Sequence, residues 1–173
     1  MAVNGQQDVN GSGKSEEVVA SVLHGVKDLK IVSSYAMSRE QETADWDVQE
    51  HRQLGAPEAS EVQVAVQATG LCGSDLHYFN HYRNGDIIVQ EPLTLGQESS
   101  GVVTAVGSQI TNLKVGDRVA LEVGLPCLEC DLCKEGRYNI CKSLRFRSSA
   151  KSFPHFQGTL QERINHPAVY CHK

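Results

Sequence analysis

Long apolar runs are missing from this sequence. Its longest ones are a few residues, far short of the roughly 20 that a membrane-spanning helix needs. Clusters of Lys and Arg are missing too. Asp and Glu number 21 against 16 Lys and Arg, for a formal charge of −5, so neither nucleic acid nor an anionic membrane is an expected partner. The N-terminal stretch MAVNGQQDVNGSGKSEE has no apolar core of the kind a secretory signal requires. Residues 1–16 read as a disordered, solvated tail, and the chain as cytoplasmic. Aromatics are sparse, and the single Trp, Trp46, lies in a polar stretch.

What remains is an ordinary globular balance, 40% hydrophobic and 21% charged over 173 residues, enough for one domain with its own core. Val18 to Leu23 and Leu29 to Ser33 read as a hairpin around His24-Gly25. Val62, Val64, Val66 and Ala68 alternate as in a half-buried strand. Cys72 to Tyr82 opens a short helix with Ser74 as its expected N-cap. Further strands read over Gly101–Val106, Arg118–Val123, Thr159–Ile164 and Ala168–Cys171, punctuated by glycines. Many short strands with Gly turns predict a mainly β fold, a barrel with a few short helices.

Six cysteines stand at 72, 127, 130, 133, 141 and 171. Without an export signal, clustered cysteines point to metal ligation rather than disulfides. Cys127-x2-Cys130-x2-Cys133-x7-Cys141 can wrap four thiolates around one ion. A closed four-sulfur shell leaves no position for water or substrate, which makes it a structural zinc site. Residues 124–143 form this lobe, and the bound metal stabilises a segment with few apolar residues. Cys171 stands apart and reads as a buried or free thiol.

An earlier constellation runs Gly70-Leu-Cys72-Gly-Ser74-Asp75-Leu-His77-Tyr78, followed by Gly96-Gln97-Glu98-Ser-Ser-Gly101. With TGLCGSDLHYF, VGDRVALEVG, CKEGRYNIC and FQGTLQE, it resembles the zinc-dependent medium-chain alcohol and polyol dehydrogenases, in the sorbitol, xylitol and arabinitol branch. The resemblance covers about Val18 to Lys173. It implies a GroES-like β-barrel over 17–173, with the cysteine lobe as that family's structural-zinc lobe. It implies Cys72 and Glu98 as ligands of a catalytic zinc, Ser74 as a proton relay, Asp75 as the group orienting a ligand, and Tyr78 and Phe146 as walls of a polyol pocket. The implied reaction oxidises a polyol to a ketose with NAD, and family members form homo-oligomers.

Three departures modify that expectation. The family's Gly-His-Glu is here Gly96-Gln97-Glu98, and a neutral amide is a poor zinc ligand. Relatives continue into a Rossmann domain. These 173 residues contain no strand-linked G-x-G-x-x-G, so the expectation is a truncated polyol dehydrogenase whose chain alone carries no NAD and is inactive. Residues 34–53 read as an inserted loop. Two other readings stay open: a non-catalytic zinc-binding module that pairs with other subunits, and a quinone-reductase-like member without catalytic zinc. His77 is expected in a structural or relay role. Glu162 is expected on a solvated strand, His81, His155 and His166 at the surface or in loops, and the four basic residues between Lys142 and Lys151 on a solvated face.

Overall fold

The computed structural model describes residues 16–32 and 52–173. The expected tail therefore lies outside the described residues, apart from Glu16, which opens a strand. Most of the expected insertion, with Trp46, lies outside them as well.

Strands β1 (Glu16–Val18) and β4 (Arg52–Leu54) pair with each other. Strands β2 (Ala20–Gly25) and β3 (Asp28–Val32) form the expected hairpin, with the turn at Val26–Lys27, two residues later than His24-Gly25 suggests. Strand β5 (Glu61–Gly70) leads into helix α1 (Gly73–His81). Short strands β6 (Arg83–Asn84), β7 (Ile87–Ile88) and β8 (Leu93–Thr94) precede the long β9 (Glu98–Val106) and β10 (Arg118–Leu121). The cysteine lobe lies between β11 (Gly124–Leu125) and β12 (Arg145–Phe146) and contains the one-turn helix α2 (Asp131–Lys134). Strands β13 (Arg163–Pro167) and β14 (Cys171–His172) close the fold, joined by a 3₁₀ turn over Ala168–Tyr170.

The main sheet runs β13-β5-β9-β10-β14, and all strand pairings among the described residues are antiparallel. That is a mainly β fold with two helices, and no Rossmann domain lies among the described residues. The alternation read in β5 puts Val62 and Val64 in one core with Val103, Leu113, Val119, Leu121 and Ile164. Each such side chain contributes roughly 1.5–3 kcal/mol when fully buried. Gly101 lets β9 approach β5, since a side chain there would drive into the Ala65 carbonyl. A second core gathers Leu23, Tyr78, Val89, Leu93, Leu95 and Ala150 between α1 and the following loops.

Several polar residues expected at the surface are buried instead. His166 on β13 has no exposed surface, and His155 and Arg147 are buried as well, whereas His81 is exposed as expected. The reason is pairing with distant segments. Arg147 Nε donates to His166 Nδ1 at 3.0 Å, and its other nitrogens donate to the carbonyls of Gln157 (3.2 Å) and Asn165 (2.5 Å). His155 Nε2 accepts from the Gln90 amide at 2.8 Å, and its Nδ1 lies 2.7 Å from the Ser152 carbonyl. Both loops are thereby strapped to the barrel.

Burial, and then the adjacent Arg147 charge, pull His166 down to about 3. The unfolded chain takes up this proton near pH 6.5, and the folded one only near pH 3. The contribution of a neutral His166 is thus whole above about pH 6.5 and is lost progressively as pH falls toward 3. Acid denaturation followed by circular dichroism is expected to show a stability decline through this window, on the order of 4 kcal/mol in total. His166→Gln, which keeps an acceptor for Arg147, is expected to flatten it.

Candidate functional site

Two sites emerge. The first is the cysteine lobe. Positive φ at Leu128 and Gly136 turns the backbone back on itself, bringing Cys127, Cys130, Cys133 and Cys141 together, with all four sulfurs within 4.8 Å of one another. The Cys127–Cys141, Cys130–Cys133, Cys130–Cys141 and Cys127–Cys133 sulfur pairs lie 3.4, 3.5, 3.8 and 4.0 Å apart. A tetrahedral ion with metal–sulfur bonds of about 2.3 Å requires sulfur edges of about 3.8 Å. The four sulfurs fit such an ion.

Backbone amides add to the electrostatics of the lobe. The amides of Glu129 and Cys130 donate to the Cys127 sulfur and hold its thiol down at about 6, while the Cys127 amide donates to the Cys141 sulfur at 3.4 Å. Desolvation, followed by the neighbouring thiols, pushes Cys133 up to about 12. Without a cation one sulfur ionises readily and another resists. A divalent ion at the centre removes that conflict, because each thiolate then faces positive charge. Cys171 lies outside the cluster, buried in the main core.

The second site is the edge where β5 hands over to α1 and where β9 begins. Register pairs Gly70 with Glu98, so the carboxylate of Glu98 lies over Gly70 and Cys72 follows two residues on. Cys72, rather than the expected Ser74, is the N-cap of α1, because Asp75, three residues into the turn, accepts the Cys72 N–H at 2.9 Å. Ser74 is left free for another partner, and the Gln97 amide donates to its hydroxyl at 3.3 Å. His77 is exposed, with its ring facing His81 at 6.1 Å.

Asp75 organises this edge. Its Oδ2 takes the Cys72 amide, while its Oδ1 takes the Gly96 amide at 2.9 Å and the Ser148 hydroxyl at 3.0 Å. Buried at 2% exposure, it ties the positions flanking Cys72 and Gln97 to the 145–151 loop. Tyr78 is packed in the second core, its hydroxyl accepting from the Ala150 amide at 3.2 Å. Phe146, 40% exposed, sits opposite Gly124 on β12. Glu162, exposed as expected, accepts the Val19 amide at 3.2 Å.

Cys72 and Glu98 offer a thiol and a carboxylate, but Gln97, next to Glu98 in the chain, offers only an amide already bonded to Ser74. That donor set does not fit a catalytic zinc, which takes three strong protein ligands and keeps a fourth position open. Asp75→Ala leaves two buried N–H groups and a hydroxyl without an acceptor. It is expected to cost about 3 kcal/mol, read as a lowered midpoint in urea. Asp75→Asn is expected to cost less, since its carbonyl oxygen still accepts.

Comparison with known proteins agrees with this geometry. The alcohol dehydrogenase GroES-like domain matches residues 58–173. D-xylulose reductase A of Aspergillus oryzae is 47% identical over 116 residues, which is 67% of this chain and 31% of that protein. Sorbitol dehydrogenase of Arabidopsis thaliana is 37% identical over all 173 residues and 42% of its own length. A solved Escherichia coli oxidoreductase/dehydrogenase of unknown specificity superposes with a TM-score of 0.70 at 31% identity, covering 91% of this chain and 40% of that one. The chain thus spans about a third to two fifths of the relatives it matches. With these matches and an antiparallel barrel carrying a four-cysteine lobe, the chain belongs to the alcohol dehydrogenase GroES-like family.

Proposed function

We propose that this chain is the GroES-like domain of a polyol dehydrogenase, with zinc in the cysteine lobe and a reaction centre altered at one ligand position. The single observation that carries the zinc assignment is the sulfur cluster, four of its six edges between 3.4 and 4.0 Å and all within 4.8 Å. The ion's role there is structural: four sulfurs fill its shell and hold the lobe closed. The names of the relatives, a D-xylulose reductase and a sorbitol dehydrogenase, support a sugar alcohol and its ketose as the substrate class.

At the altered centre the chain's own residues have separate tasks. Ser74 offers a hydroxyl beside Cys72, in position to pass a proton from a substrate hydroxyl. Asp75 holds the Cys72 turn and the Gly96 corner at a set spacing. Gln97 donates its amide N–H to the Ser74 oxygen, which leaves the Ser74 O–H proton available and supplies no strong ligand for a metal. The nucleotide half of the reaction needs a dinucleotide fold that does not lie among these described residues. The 173-residue chain is therefore expected to form no NADH from sorbitol or xylitol on its own, and any such turnover would refute this assignment of labour.

Two measurements test the reading. Atomic emission on the purified chain is expected to find about one zinc per chain, and about two in Gln97→His. A value well under a half would remove the structural-zinc assignment. The second measurement is a chimera, with residues 58–173 replacing the matched segment of the Aspergillus oryzae D-xylulose reductase A. Gln97 is expected to lower its D-xylulose reduction by at least about a hundredfold relative to the Gln97→His form, more than outer-shell losses cause. Equal activity in both forms would show that Gln97 impairs nothing, and a well-folded chimera inactive in both would overturn the polyol assignment.

A further inference from the structure

The stretch from Lys142 to Lys151 reads in sequence as a solvated basic face, yet two of its arginines line a cleft of roughly 500 Å³ between β13, β4 and the loop preceding β13. This cleft lies apart from the Cys72 edge, and neither the family resemblance nor the proposed reaction gives it a task. Its polar walls include Arg145, Arg147, Gln157, Asn165 and Glu61, along with two further glutamines, and the Phe156 ring lies among them. Both guanidinium carbons sit against that ring, 4.4 Å from its centroid for Arg145 and 4.7 Å for Arg147. Two cations held on one ring repel each other, and a ring quadrupole offsets only part of that cost.

Arg147 is only 6% exposed. Its contacts are to His166 and two backbone carbonyls, all neutral, and among the described residues no carboxylate comes within ion-pair distance of it. Glu61, the one acid on the wall, instead accepts the Glu58 amide at 3.1 Å. Arg147 is thus buried with Glu61 as a nearby charge but with no carboxylate in direct contact, an expensive arrangement to keep in a fold, and the exposed Arg145 stands beside it. The planar guanidinium forks of both residues suit a bidentate oxyanion. One further atom has an unmet need: the buried Oδ1 of Asn165 has no hydrogen-bond partner among the described residues, and it suits a hydroxyl donor on the same ligand.

We propose that this cleft binds a phosphate-class oxyanion, gripped by Arg145 and Arg147 over Phe156, with a ligand hydroxyl donating to Asn165. Arg147 precedes Ser148, whose hydroxyl bonds Asp75, so the loop holding the anion is also the loop that braces the Cys72 edge.

The test is a titration of the isotope-labelled chain, zinc-loaded, with inorganic phosphate and in a parallel arm with sorbitol 6-phosphate, followed by amide shifts in the NMR spectrum. Saturable shifts confined to residues 145–147, 156–157 and 165 are expected. Arg145→Ala, at an exposed position, is expected to weaken binding about tenfold or more, and Arg147→Lys, which keeps the buried charge but loses the fork, to a similar degree. Tighter binding of the phosphate ester that disappears in Asn165→Ala would identify an ester as the occupant. Equal affinity for both would identify free phosphate. The absence of saturable shifts, or shifts scattered over surface lysines and unchanged in Arg145→Ala, would overturn the proposal. These readouts do not depend on the metal content or activity of the Cys72 edge.

Discussion

One buried carboxylate joins three parts of the chain that are far apart in sequence. Asp75 receives the amide of Cys72, the amide of Gly96 and the hydroxyl of Ser148. A buried carboxyl group is tolerated in such a place only when donors meet its oxygens, and those donors are the positions that set where Cys72, Gln97 and the 145–151 loop stand. Helix α1 starts where it does because Asp75 closes back on its cap. β9 starts where it does because the Gly96 corner is pinned to the same group. The candidate reaction edge and the second core therefore share one support.

The cysteine lobe is built on a different logic. It has few apolar residues and little regular structure, so packing alone gives it little reason to close. Tight turns at Leu128 and Gly136 bring the sulfurs close to the edge lengths of a tetrahedron, and an ion held there would take the place of the missing hydrophobic core. The two sites thus differ in kind. The lobe offers four strong ligands of one type. The Cys72 edge offers a thiol, a carboxylate and an amide bonded to a serine, a set poorly suited to grip a soft cation.

Much of the fold was legible before the structure. The cysteine spacing appears where it was read, and so does the strand β5, though its alternation holds only for Val62 and Val64: Gln63 is buried and Ala68 exposed, because the register shifts at Gln63/Val64 and Val66/Ala68. Boundaries moved: the hairpin turn fell at Val26–Lys27, the helix cap fell on Cys72 because Asp75 reaches back to it, the strand expected over Thr159–Ile164 runs over Arg163–Pro167, and Ala168–Tyr170, expected as strand, is a 3₁₀ turn. The buried polar residues were not legible. His155, His166 and Arg147 carry no periodic signal, and their burial depends on partners that lie from 10 to 65 positions away in the chain.

The sequence by itself determined the elements whose causes are local. These are the strands, the cysteine spacing that lets four sulfurs meet, and the neutral amide at position 97, whose poor fit to a soft cation follows from the residue type. Tertiary structure alone decided which charged and polar side chains left water: Asp75 under the reaction edge, and Arg147 against His166 in the cleft. A polar group can be buried only where donors or acceptors from other strands meet it, and that meeting is a property of the folded arrangement, not of any single stretch of residues.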